Sequence, residues 1–270
     1  MPLRNLPEEF EGAKLVQISD LHCGPLVSQR QLHALVKAVN QLAPDFIVIT
    51  GDFVTFPSRR DTRLAATICG QLKARTAVLA CLGNHDYGVW HPNGLGGNRK
   101  CADALADQLS QRGVIPLRNA CRVIFRGEAV LQFVGVDDYW TRHYDAQEAF
   151  DLAAPETPTI ALAHNPDAAV ELAAWKPDWV LAGHTHGQAT PDTRFWNMAY
   201  PTRHKRFVAG GYRVGPRTRL YVSRGIGGSF FRPARQCPEI AFFTMSRAKT
   251  PQQDEMPNRL DTQPTAGLHL

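Results

Sequence analysis

The chain has 270 residues, a hydrophobic fraction of 44% and a formal net charge of +5, enough apolar material for one sizeable α/β domain. Its six cysteines include no C-x-x-C pair and no dense spacing, which excludes a zinc ribbon or a disulfide framework and points to a reducing compartment. Neither the start, MPLRNLPEEFEGAKL, nor any later segment has the apolar run of a signal-peptide core or a membrane span, so a cytoplasmic protein is expected, at most peripheral at the inner membrane.

Residues 14–19 (KLVQIS) read as a short buried strand that breaks at Asp20-Leu21-His22-Cys23-Gly24-Pro25. Ser28 and Gln31 form a capping box, and Leu32, Leu35, Val36 and Val39 recur at helical spacing behind it. The unit repeats: residues 45–50 (DFIVIT) end in Gly51-Asp52, a helical pattern covers 61–72, and residues 77–82 (AVLACL) run into Gly83-Asn84-His85-Asp86. A helix over 101–109 precedes closely spaced strands at 122–125 and 129–136. Residues 159–163 (TIALA) end in His164-Asn165-Pro166, and 179–182 (WVLA) end in Gly183-His184-Thr185-His186-Gly187. Two last strands are predicted at 220–223 and 240–245.

Alternating strands and helices followed by a strand-rich half predict an α/β fold with two packed mixed β-sheets flanked by helices. A single domain is expected over residues 1–245, with the polar, Pro-containing stretch 246–270 as a disordered tail.

Each cluster of Asp, Asn and His directly follows a predicted strand, and in open α/β sheets ligands bind beyond the carboxyl ends of the strands. Clusters far apart in sequence can therefore converge. Imidazole nitrogens with carboxylate and amide oxygens suit manganese, iron or zinc and suit calcium or a thiolate metal poorly. Two such ions about 3.5–4 Å apart, sharing a bridging carboxylate, can activate water and neutralise charge in a displacement at phosphorus.

The ordered set D-x-H (Asp20, His22), G-D (Gly51, Asp52), G-N-H-D (Gly83 to Asp86), His164 after a strand and G-H-x-H (Gly183 to His186) resembles the calcineurin-like metallophosphoesterase superfamily. The resemblance implies that Asp20, His22 and His186 bind one metal ion and Asn84, His164 and His184 the other, with Asp52 bridging. Two divalent or trivalent ions are implied, manganese foremost and iron or zinc as alternatives. His85 would face the phosphate, stabilising it or protonating the leaving oxygen, and Asp86 would orient His85. Gly51-Asp52 runs into Phe53-Val54-Thr55-Phe56, which departs from the protein Ser/Thr phosphatases and places Thr55 where purple acid phosphatases have Tyr. His85 likewise departs from the hydrolases that carry Arg there.

The start NLPEEFEGAKLVQISDLHCG, the run Gly135-Val136-Asp137-Asp138 and the late TRLYVSRGIGG and CPEI are similar to the bacterial branch that includes UDP-2,3-diacylglucosamine pyrophosphate hydrolases. The expected activity is hydrolysis of a phosphodiester or pyrophosphate bond, as in a lipid-linked nucleotide. A nuclease or cyclic-nucleotide phosphodiesterase on the same site is the alternative, and a non-enzymatic scaffold is disfavoured by the complete set of reacting residues.

Residues 193–238 contain no Asp or Glu yet hold ten of the 30 Lys and Arg: Arg194, Arg203, Lys205, Arg206, Arg213, Arg217, Arg219, Arg224, Arg232 and Arg235. Phe195, Trp196, Tyr200, Phe207, Tyr212, Tyr221, Phe230 and Phe231 lie among them. Such a segment suits an anionic partner, a phosphate-ester substrate or an anionic membrane surface more than nucleic acid. His33, His91, His143, His204 and His269 lack a ligand pattern and are read as structural or exposed. Cys23 is read as a small buried residue, and Asp137 and Asp138 as either substrate-facing or ordinary turn residues.

Overall fold

The computed structural model describes residues 1–25, 27–92, 97–187, 202–227 and 238–248, together with the backbone of 259–260. The first half builds a five-stranded sheet. Strands β2 (Lys14–Ile18), β3 (Phe46–Thr50), β4 (Ala77–Cys81) and β5 (Val114–Pro116) run parallel, and β12 (Ala241–Thr244) closes one edge antiparallel to β2, in the order β12-β2-β3-β4-β5. Between these strands lie α1 (Gln29–Gln41), α2 (Arg59–Cys69), the single turn α3 (Asn84–Tyr87) and α4 (Arg99–Ser110). The capping box at the start of α1 is present, Gln31 Oε1 accepting the Ser28 amide at 2.9 Å.

A seven-stranded sheet has the order β14-β10-β11-β9-β8-β7-β6. It comprises β6 (Ala120–Arg126), β7 (Ala129–Gly135), β8 (Thr159–Leu162), β9 (Trp179–Ala182), β10 (Gly210–Arg213), β11 (Arg219–Val222) and β14 (Arg259–Leu260), with β7, β8, β9 and β11 parallel, β6 antiparallel to β7, and β10 antiparallel to both β11 and β14. Helices α5 (Ala146–Phe150) and α6 (Ala168–Leu172) cover its outer face. Strand β10 was not predicted because Gly210-Gly211 gives no apolar alternation; pairing with β11 supplies what propensity does not. The expected tail begins with β13 (Ser246–Arg247), which pairs in parallel with β1 (Pro2–Leu3), and β14 pairs with β10. Residues 249–258 and 261–270 of that expected tail lie outside the described residues.

Period-two alternation decides the layers. Leu15, Phe46, Val48 and Leu79 point from the smaller sheet toward Leu131, Phe133, Ile160 and Leu181 of the larger one, forming a single core between the sheets. Their neighbours Val16, Ile18, Ile47 and Ile49 face α1, α2 and α4, and Val134, Ala161, Val180 and Leu220 face α5 and α6. The strands are therefore apolar on both faces, as strands covered on both sides must be. Phe46 and Phe133 meet across the inter-sheet core at 5.3 Å between ring centroids. One buried polar link joins the sheets close to the strand ends: Gln17 Nε2 donates to Thr50 Oγ1 at 3.0 Å and to Ala182 O at 2.9 Å.

Phe46 is fully buried at the centre of this core, so Phe46→Ala leaves a cavity between two rigid sheets and is expected to cost about 3–5 kcal/mol. Urea unfolding measures this as a lowered midpoint at unchanged slope; a loss below about 1 kcal/mol would show that the inter-sheet core does not depend on Phe46.

Candidate metal centre

The carboxyl ends of β2, β3, β4, β8 and β9 meet at one place, and the loops that leave them carry every predicted ligand. The first two loops remain paired after their strands end: the amides of Asp20, His22 and Cys23 donate to the carbonyls of Gly51, Asp52 and Phe53 at 3.0, 3.0 and 2.8 Å. Gly183 N donates to His164 O at 2.9 Å, which joins the other two ligand loops. The backbone is strained where the ligands sit. Asp20, His22, Asp52, His184 and His186 all have positive φ, between 45° and 73°, a conformation that costs roughly 1–3 kcal/mol each for a residue with a Cβ. Gly51, at φ 86°, lies against His164, and a Cβ there would be 2.6 Å from His164 Nδ1.

Asp20, His22, Asp52, Asn84, His164, His184 and His186 are all buried. Their ligand atoms form two main groups, Asp20 with His22 and His186, and Asp52 with His164 and His184; within each, the atoms lie within 4.8 Å of one another. A third such group, His22 with Asp52 and His85, links the two. Asp52 Oδ2 lies 3.2 Å from His164 Nε2, 3.7 Å from His22 Nε2 and 3.9 Å from His85 Nε2. Its Oδ1 accepts the His85 amide at 3.0 Å.

These donors fit metal ions. Asn84 Nδ2 donates to Val89 O at 2.7 Å, leaving the buried Asn84 Oδ1 with no hydrogen-bond partner, an arrangement expected of an amide oxygen ligand. Imidazole nitrogens converge in pairs, His22 Nε2 on His186 Nε2 and His164 Nε2 on His184 Nδ1, each at 3.1 Å. His164 Nδ1 donates to Thr50 O at 2.7 Å, turning the Nε2 lone pair inward. Burial, with the neighbouring imidazoles, holds His22 well below the usual histidine range and so neutral, as a ligand must be. Burial opposes charge on His164 as well, but the Asp52 carboxylate outweighs it and holds His164 high. Burial likewise opposes charge on Asp52, whose carboxyl is nonetheless held low by His164 and His85.

His85 stands at this centre, but its orienting partner differs from the expected one. His85 Nδ1 donates to the carbonyl of Thr55 at 2.9 Å. Asp86 instead accepts the amides of Phe53, Val54 and Gly83 at 2.9, 3.2 and 2.8 Å, so it ties the loop after β3 to the turn after β4. Burial and the Asp52 charge push the Asp86 carboxyl up to about 8, against the pull of those amides. A carbonyl partner leaves no mark in the sequence because every residue has one.

The SRGIG stretch has a role the sequence did not disclose: Ile226 N and Gly227 N donate to Ser19 O and Asp20 O at 2.9 and 2.7 Å, backing the Asp20 loop. Asp137 is buried and paired with Arg118 at 3.0 Å. Asp138 is buried with Oδ1 on the Trp140 amide at 2.9 Å, and burial pushes its carboxyl up to about 7. Trp140 sits edge-on to His184 at 4.7 Å, so this turn walls the His184 side. Burial also pushes the Cys23 thiol up to about 12, in keeping with a packing role.

In the basic segment, the described aromatics Phe207, Tyr212 and Tyr221 are buried and pack inward, so they offer no ring to an anionic surface. Arg203, Lys205 and Arg206 are exposed. Their loop is tied to the centre: Asp167 accepts the amides of Arg203 and His204 at 2.5 and 2.9 Å, and Thr185 Oγ1 donates to Val208 O at 2.5 Å. Arg194, Arg232, Arg235, Phe195, Trp196, Tyr200, Phe230 and Phe231 lie outside the described residues, as do His269 and Cys237. His33, His91 and His204 are exposed and His143 is half-buried against Tyr87. Among the described residues the cysteines are unbridged, and no helix is long and apolar enough to cross a membrane.

Comparison with known proteins agrees with this geometry. The family model of the calcineurin-like phosphoesterases matches residues 13–188. The chain is 35% identical, over 84% of its length, to a transmembrane protein with metallophosphoesterase domain from Danio rerio, of which it spans 51%. It is 29% identical to the UDP-2,3-diacylglucosamine pyrophosphatase LpxG of Chlamydia trachomatis serovar D, over 87% of this chain and 85% of that one. Among solved structures, the phosphopantetheinyl hydrolase PptH of Mycobacterium tuberculosis shares the fold at a TM-score of 0.50 and 14% identity, over 79% of this chain and 89% of that one.

The roles expected of Asp52 and His85 can be told apart. Asp52→Ala is expected to lower bound manganese from about two ions per chain to one or none, because a metal pair there would lose the carboxylate that faces both His22 and His164, whereas His85→Ala is expected to retain the metal. Elemental analysis after reconstitution checks this, and equal loss in both variants would make His85 a ligand.

Proposed function

The chain belongs to the calcineurin-like phosphoesterase family, and we propose that it is a metal-dependent phosphohydrolase that cleaves a phosphodiester or pyrophosphate bond at a dinuclear centre held by Asp20, His22, Asp52, Asn84, His164, His184 and His186. The observation that carries this reading is the placement of Asp52, one oxygen fixed by the His85 amide and the other facing the imidazoles of His22, His164 and His85. Asp20, His22 and His186 would hold one ion, Asn84, His164 and His184 the second, and Asp52 both. Divalent ions bound there, with manganese our choice, supply Lewis-acid activation of water and neutralise charge at the phosphoryl group.

The protein's own groups do the rest. With Nδ1 committed to Thr55 O, His85 presents Nε2 to the substrate. In its protonated form Nε2 donates to the leaving oxygen, and Thr55 keeps the ring from turning away. Asp86 is a positioning residue, holding together the two loops that present Asp52 and His85.

The similarity to a UDP-2,3-diacylglucosamine pyrophosphatase supports a lipid-linked nucleotide as the substrate. Arg203, Lys205 and Arg206, exposed on a loop tied to the ligand loops, would draw in an anionic substrate and would meet the headgroups of an anionic leaflet. We place the protein in the cytoplasm, peripheral at the inner membrane.

Chelation is expected to abolish hydrolysis of bis-p-nitrophenyl phosphate and manganese to restore it; full turnover in the chelated protein would end this mechanism. His85→Ala should lower kcat by roughly 100- to 10,000-fold, read with the metal content held equal. Replacing Arg203, Lys205 and Arg206 together by Glu should weaken binding to vesicles of anionic phospholipid, binding that in the unaltered protein falls steeply with salt. Absence of vesicle binding at low salt, with tight binding of single-stranded DNA, would replace the membrane reading by a nuclease.

A further inference from the structure

Among the described residues whose ion pairs build the centre, the ligand side chains are 10% exposed or less and His85 is the most exposed. The side chain of His85 is 22% exposed, against 2% for Asp52, 5% for His22 and 0% for His164. Two large aromatic residues stand near His85. Trp90 meets His85 edge to face at 4.5 Å between centroids, and Phe56 lies 5.2 Å from Trp90. Both are exposed, Phe56 at 44% and Trp90 at 47%.

Their positions follow from the contacts that build the centre. The chain that supplies Thr55 O to His85 continues directly into Phe56. On the other side, Gly88 at φ 70° ends α3, and the chain turns back so that Val89 O accepts Asn84 Nδ2. That bond sets the Asn84 ligand oxygen and also places Trp90 beside His85. Singly exposed apolar side chains are ordinary on a protein surface. These two touch each other and flank His85, the most exposed of the described residues around Asp52, so a substrate that approached Asp52 beside His85 would meet them.

We infer that Phe56 and Trp90 form an aromatic platform that binds an apolar ester arm, aryl or alkyl, of the phosphorus substrate, making them specificity-determining residues. The inference rests on the phosphoesterase reading for its substrate class, but the platform itself is read by binding. Rings beside a phosphate site favour carbon-rich arms because covering them removes apolar surface from water, and a flat arm gains stacking as well.

The test measures inhibition by methyl-, hexyl- and phenylphosphonate of bis-p-nitrophenyl phosphate hydrolysis by the manganese-reconstituted protein. The three share one anionic head and differ only in the arm. Hexyl- or phenylphosphonate should bind about tenfold tighter than methylphosphonate. The F56A/W90A double variant should bring that ratio close to one, and W90F should keep most of it, which separates loss of the platform from loss of fold. The stronger of the two long arms tells a flat group from an alkyl chain. A ratio near one in the unaltered protein, or a ratio the double variant leaves intact, overturns the platform. If the protein hydrolyses no ester, calorimetric titration with the same phosphonates reads the ratio directly. A tenfold ratio lost in the double variant then keeps the platform and removes the phosphoesterase reading, and a ratio near one removes both.

Discussion

The arrangement rests on one buried carboxylate. Asp52 is 1% exposed at the end of a central strand, and three imidazoles and one backbone amide converge on its two oxygens. Burying a carboxylate is costly unless charge and hydrogen bonds compensate it. The side chains around Asp52 are those able to do so while leaving lone pairs for cations, and that need explains why loops from five strands must end at one point.

Meeting it strains the chain. Five of the seven proposed ligands adopt a left-handed backbone, which they hold only because inter-loop hydrogen bonds and the sheets beneath over-determine them. The inter-sheet core around Phe46 and Phe133 is the rigid base, and Gln17 carries a polar tie from one sheet to the other near the centre. The strain is thus carried by packing: the more firmly the two sheets are held, the more of it the loops at their ends can keep.

The surroundings of the centre differ in chemistry from side to side. Toward the basic loop, Asp167 and Thr185 tie the backbone that carries the exposed Arg203 and Lys205 to the His164 and His184 loops. Toward His85 the border is aromatic, through Phe56 and Trp90. A phosphoester with an anionic part and a carbon-rich part would meet both.

Much of this was legible in the sequence. Short apolar runs ending in Asp, Asn and His disclosed the parallel strands and the place where those side chains converge, because a strand buried on both faces must be continuously apolar and its polar residues must wait for its end. The capping box at Ser28 was legible because its hydrogen bonds are local. Strand β10 was not, since Gly210-Gly211 becomes a strand only by pairing with β11. Nor could the sequence show that Thr55 O, not Asp86, holds His85, that the SRGIG stretch backs Asp20, or that Phe207, Tyr212 and Tyr221 turn inward. Side-chain chemistry and its spacing are written in the sequence; which backbone carbonyl meets which ring, and which face of a ring meets water, depends on elements brought together across the whole chain.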